Sequence, residues 1–98
     1  MPRYRISKAA ILDLDNIFTY TQLKWSTEQA DKYYRQLIQE IDYVTQNFDL
    51  GRGVTQIRVG YKSSKAKSHV IFYRMGVDNV VEIVRILHER MDWKRHRV

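Results

Sequence analysis

The sequence predicts an α+β domain in which a two-helix antiparallel hairpin packs on a small antiparallel β-sheet, in the order β-α-α-β-β-β. Three observations predict it. Apolar residues recur at helical spacing over residues 8–25 and again over 30–48, with only a short polar break between them. After Gly53 the periodicity falls to two, in segments rich in Val, Ile, Tyr and Phe. A helical hairpin that must bury one stripe and a meander that must bury one face satisfy each other in two layers. At 98 residues the chain is read as one domain, residues 1–98.

The elements follow in order. "RYRIS" (3–7) alternates polar and apolar and suits a short edge strand, and Ser7 is placed to cap the helix after it. In the first helix Ala10, Ile11, Leu14, Ile17, Phe18, Thr21 and Trp25 share a stripe, and Asp13, Asp15 and Asn16 fall mostly away from it. "WSTEQA" reads as a stop and restart, since Ser26 and Gln29 have the spacing of a capping box. The second stripe runs Ala30, Tyr34, Leu37, Ile38, Ile41, Val44 and Phe48. Two helices so closely joined pack antiparallel. "NFDLGRG" ends the second, with Gly51 and Gly53 available for a positive φ. Strands are expected at 54–62, 69–75 and 80–87, with "SSKAK" and "GVDN" as turns.

In the last strand, strict alternation puts Val81, Ile83, Arg85 and Leu87 on one face and Val80, Glu82, Val84 and Ile86 on the other. Both faces are then mainly apolar. One helical hairpin covers only one of them, so the other implies a further partner, a peptide or a subunit.

Net charge is +6 and is unevenly spread: residues 1–50 hold six Lys/Arg against seven Asp/Glu, and 51–98 hold eleven against four. The basic half points to an acidic or nucleic-acid-associated partner, with a merely solvated basic face as the plainer alternative. Cysteine is absent, which excludes disulfides, thiolate zinc sites and a cysteine nucleophile. "MPRYRISKAAILDL" has no apolar run of signal-peptide length, and no stretch approaches the roughly 20 apolar residues of a membrane span, so a cytoplasmic location is expected.

Candidate chemistry is sparse. His88, at the end of the last strand, is a possible general acid or base, with Arg58, Lys62, Arg74 and Arg85 on the strands as cations for a phosphate. The three histidines have no metal-ligand spacing, and "GRG" lacks the context of a phosphate loop, so no metal and no cofactor is expected. Asp13 and Asp15, two apart on a helix, do not face each other. Most aromatics sit at core spacing. Trp93 lies instead among Arg90, Lys94, Arg95 and Arg97, either as a folded-back anchor or as an interface hot spot.

"AILDLDNIFTYT", "STEQADKYYRQLIQEID" after a Trp, Leu50-Gly51-Arg52 after the second helix, "SHVIFYR", and "VEIVRILHERMD" followed by "WKRH" stand in a specific order and spacing. Together they span nearly the whole chain, and they resemble the ParE branch of the RelE/ParE toxin superfamily, the toxin halves of bacterial toxin-antitoxin modules. The resemblance implies a non-enzymatic toxin that inhibits DNA gyrase and blocks replication, of the kind associated with plasmid stabilisation. It also implies a cognate ParD-like ribbon-helix-helix antitoxin that wraps the toxin, in a heterotetramer or larger, and meets DNA on the toxin's behalf; no membrane is involved.

Charge pattern and resemblance together assign two surfaces. Target binding falls to His88, Arg90, Met91, Trp93, Lys94 and Arg95, and antitoxin binding to Arg58, Tyr61, Tyr73, Arg74 and Arg85. The alternative is a RelE-like ribosome-dependent mRNA endonuclease using Arg58, Arg85 and His88. The chain departs from that pattern, because no tyrosine follows His88 and the loop after the second helix offers Asp49 but no glutamate. A third reading, a basic nucleic-acid-binding module, lacks any helix-turn-helix or RNP-type signature.

Overall fold

Ser7 starts the first helix as expected, its hydroxyl accepting the Ala10 amide at 3.1 Å. In the computed structural model, which describes residues 3–53 and 60–91, the chain runs β1 (Tyr4–Ile6), α1 (Lys8–Lys24), α2 (Thr27–Gln46), a 3₁₀ turn (Phe48–Leu50), β2 (Arg52–Gly53), β3 (Lys62–Ala66), β4 (His69–Met75) and β5 (Val81–His88). Only Trp25 and Ser26 separate the helices, and Ser26 Oγ accepts the Gln29 amide at 3.0 Å. So short a link folds α2 back along α1.

The described strands form one sheet in the order β1-β5-β4-β3-β2. β2 to β5 pair antiparallel, and β1 adds at the edge in parallel to β5, Tyr4 opposite Val81. The core lies between helices and sheet, from Ala10 and Leu14 of α1, Leu37, Ile41 and Val44 of α2, and Ile71, Tyr73, Val81, Ile83 and Ile86 of the strands. Each of these is less than 5% exposed.

Four expectations are corrected. The strand expected at 54–62 does not run through its end: Gly60 sits in a turn with φ +88° and Lys62 opens a separate polar strand, Lys62–Ala66, while 54–59 lie outside the described residues. "SSKAK" is therefore mostly strand, with the reversal confined to Lys67 (φ +57°) and Ser68. Tertiary contacts overrode propensity there: Ser64 Oγ donates to Glu40 of α2, and Lys62 Nζ donates to the Phe48 carbonyl at 2.6 Å and lies over that ring.

Gly51 is needed for room, not for φ. Its φ is −70°, but a Cβ there would stand 2.0 Å from the Tyr73 hydroxyl. Trp25 and Tyr34 leave the predicted stripes for solvent, and Tyr33 packs inward in place of Tyr34.

The fourth correction concerns β5. A β-bulge breaks its register with β4: Tyr73 faces Ile83 but Phe72 faces Arg85, which makes Val84 the extra residue. Alternation slips by one beyond it, so Ile86 joins Val81 and Ile83 in the core, and Leu87 and Val84 pack on the other side with Phe72, Val70 and Tyr61. Both faces of β5 are apolar, as expected, with different members. The outer cluster is already covered within the chain, since Tyr61, Phe72 and Leu87 are each 5% exposed or less.

Candidate partner-binding surfaces

The bulge is held by the start of α1. Ser7 Oγ, besides capping the helix, donates to the Val84 carbonyl at 2.8 Å, and the Asp13 carboxylate accepts the Ile86 amide at 2.9 Å. Backbone groups that a bulge takes out of the ladder thus find side chains. Asp13 also accepts Arg85 Nε at 2.8 Å and Nη2 at 2.9 Å, a fork-to-fork pair with both side chains less than a fifth exposed. The Asp13 hydrogen bond, outweighing partial desolvation, holds the Arg85 guanidinium above its already high ordinary value. Sequence reading set Asp13 aside. Its signal was its spacing, because Ala10, Asp13, Leu14 and Ile17 are the i, i+3, i+4, i+7 face of a helix.

The shifted register also pairs His69 with His88. Their rings meet edge to face at a centroid distance of 5.2 Å, and the Tyr33 hydroxyl lies 2.6 Å from His69 Nδ1. Burial, with His88 adding to it, pushes His69 down to about 4, so the ring is neutral at neutral pH. Burial likewise raises Tyr33, against the Ser68 amide that donates to its oxygen at 3.2 Å. These three residues form one wall of an open pocket of about 580 Å³ between the end of α1, the start of α2 and the β4–β5 ends. Ile17, Tyr20, Trp25 and Met91 supply apolar walls and Lys24 stands at the rim. Among the target-binding residues, His88 and Met91 meet here, Arg90 is exposed beside them, and Trp93, Lys94 and Arg95 lie outside the described residues.

The described members of the antitoxin-binding set do not assemble as a unit. Tyr61 and Arg74 do come together on the outer face, the guanidinium 5.9 Å above the ring. Arg74 also donates to Glu82 Oε1 at 2.8 Å; Glu82 Oε2 accepts Arg5 Nε at 3.1 Å, and Arg5 pairs with Asp78 at 2.7 Å. Desolvation opposes ionisation of Glu82, but the Arg5 and Arg74 hydrogen bonds together hold it below the ordinary carboxylate range. Tyr73 is a correction: it is wholly buried under α2 against Phe48, because the residue after outward-facing Phe72 must point inward. Its hydroxyl has no hydrogen-bond partner among the described residues. Arg85 is committed to Asp13, and Arg58 lies outside the described residues.

The two described members of the endonuclease set are engaged within the chain. Arg58 is not described, Arg85 is neutralised by a carboxylate, and His88 Nδ1 accepts the Arg90 backbone amide at 3.1 Å. Among the described residues no group of three His, Cys, Asp or Glu is arranged to hold a metal ion, and no helix is long and apolar enough to cross a membrane.

A helical hairpin laid over a small bulged sheet, with apolar and basic groups at its surface, defines a small two-layer domain of the α+β class. The fold recurs in a solved chromosomal ParDE toxin-antitoxin system from P. aeruginosa, with a TM-score of 0.78 over 90% of this chain and 96% of that one at 19% identity. The model of the ParE toxin of the type II toxin-antitoxin system parDE matches residues 4–93. Toxin ParE1 of Caulobacter vibrioides is 41% identical over 96 residues, 98% of both chains, and Toxin ParE1 of Mycobacterium tuberculosis is 39% identical over 94, 96% of both. Toxin ParE of Escherichia coli is 26% identical over 92 residues, 94% of this chain and 89% of its own. The chain belongs to the ParE toxin family of type II toxin-antitoxin systems.

Proposed function

We propose that this ParE-family toxin acts in the cytoplasm by docking on DNA gyrase and blocking its cycle without covalent chemistry, and that a ParD-like ribbon-helix-helix antitoxin masks it. The observation that carries the reading is the state of Arg85. An endonuclease on this fold needs cations poised for a scissile phosphate, and a guanidinium bound bidentately by Asp13 is charge-compensated before any substrate arrives. Arg74, bound to Glu82, is in the same condition.

What remains exposed suits protein contact. The end of α1 presents Tyr20, Leu23 and Trp25 to solvent next to Met91, an apolar collar around polar groups. The basic half of the chain favours an acidic counter-surface and fast capture of it. The antitoxin assembles with the toxin as a heterotetramer or larger and is the component that contacts operator DNA.

The test is a pair of assays on the purified chain: gyrase supercoiling of relaxed plasmid, and mRNA integrity on translating ribosomes. Loss of supercoiling with intact mRNA is the expected result. Supercoiling unaffected while ribosome-bound mRNA is cut overturns the reading in favour of the endonuclease.

A further inference from the structure

The hydrogen bonds around the paired histidines favour one tautomer of each ring. The Arg90 backbone amide is a donor only, so His88 Nδ1 must accept, which puts the ring's proton on Nε2. Tyr33 oxygen already accepts the Ser68 amide; its own proton is then best placed on His69 Nδ1, 2.6 Å away. That leaves His69 also with its proton on Nε2. Both rings line the pocket, and for each the polar group still to be satisfied is an Nε2–H donor.

The rest of the lining agrees. It contains one ammonium, Lys24, and no carboxylate, although Glu89 stands close by, held to Lys65 at 3.1 Å. Ile17, Tyr20, Trp25 and Met91 give the pocket apolar lining, beside the neutral polar Asn16, Thr21 and Gln29. Two N–H donors call for an acceptor, the Lys24 ammonium in the lining favours an anionic one, and the apolar residues favour an aliphatic stem behind it. The open, apolar-collared mouth suits a side chain presented from another protein's surface better than an enclosed small molecule.

We propose that this pocket receives the carboxylate of a glutamate side chain from a protein partner, bound by the Nε2–H groups of His69 and His88 with its methylenes against Met91 and Ile17. This rests on the reading of the chain as a docking protein and names the chemistry of one contact. The Ser7 and Asp13 clamp on the bulge has a consequence here: without the bulge, His69 would face Leu87 and the donor pair would not exist.

The test uses the full chain alone. Long-range ¹H–¹⁵N spectra of the imidazoles, which read the tautomers directly, are followed through titrations with acetyl-Leu-Glu-Leu-amide, its glutamine counterpart and sodium acetate. Expected are Nε2–H tautomers for both rings at the start, and shifts of both rings and of the Met91 methyl that saturate with the glutamate peptide. The glutamine peptide should bind about tenfold more weakly, the ratio a charge-assisted hydrogen bond gives. His88→Phe should abolish the response and His88→Gln, which keeps an N–H donor, should retain part of it. Equal binding of the two peptides, no binding, or shifts spread over surface lysines instead of the pocket overturns the proposal. Acetate alone saturating as readily as the peptide overturns it too, by making this a free-anion site. The peptide comparison on the unaltered chain decides even where His88→Phe fails to fold. Because gyrase is absent, this result and the supercoiling result can fail separately.

Discussion

The two helices are built on opposite plans. In α2 the apolar stripe of Ala30, Leu37, Ile41 and Val44 is buried, and most polar residues face water, Thr45 and Glu40 excepted. α1 buries only Ala10 and Leu14, turns the polar Asp13 toward the sheet, and leaves Leu12, Tyr20 and Leu23, with Trp25 at its end, more than 60% exposed. An amphipathic helix with its apolar side inward is explained by folding alone. One with a carboxylate inward is explained by the bulge it clamps, and its leucine and tyrosine outward fit the docking role proposed above. α2 is scaffold, and α1 joins the scaffold to the proposed binding surface.

Substitutions should separate the two. Ile41→Ala removes a fully buried side chain from the scaffold helix and is expected to cost about 2–5 kcal/mol of unfolding free energy, read by chemical denaturation. Asp13→Ala comes next, at roughly 2 kcal/mol, because a largely buried guanidinium loses its fork and the Ile86 amide its acceptor. The same variant should also loosen the bulge, so the His69 and His88 ring signals should shift although neither residue was changed.

His69 sets an acid limit for the region α1 encloses. Its folded value of about 4 is below the ordinary 6.5, so folding favours the neutral ring. Stability from this group is complete above pH 6.5 and is lost as pH falls from there toward 4. The groups facing it are Tyr33, His88, Asp13 and Glu89. A thermal melt series should show melting temperature falling through that window, and His69→Phe should flatten the slope. The smallest effect on folding is expected on the outer side of α1: Leu23→Ser and Trp25→Ser should each change stability by about 0.5 kcal/mol or less, yet weaken gyrase inhibition several-fold. Equal loss of stability from Leu23→Ser and Ile41→Ala would erase the contrast between the helices.

The scaffold was the legible part of the sequence. The α2 stripe and the caps at Ser7 and Ser26 follow local rules of spacing and side-chain donors, which a sequence displays. β3 was not legible because Lys62–Ala66 is a strand through its contacts with Glu40 and Phe48, residues of a distant element. The histidine pair was hidden for a sharper reason. Counting back across an unbroken β4–β5 hairpin sets His69 opposite Leu87, and only the extra residue at Val84 brings His88 there. One inserted residue decided which side chains share the pocket, and its signal, Asp13 on an apolar helix face, lies over 70 positions earlier in the chain.

The most direct test of docking against catalysis is the dose dependence of the damage. Gyrase supercoiling is measured against increasing toxin, with the RNA of a parallel translation reaction followed at each dose. A docking inhibitor must occupy its target, so inhibition should rise with toxin and level off near equivalence with gyrase, leaving RNA intact. RNA cut by toxin far below equivalence with ribosomes, with supercoiling untouched, would contradict the account.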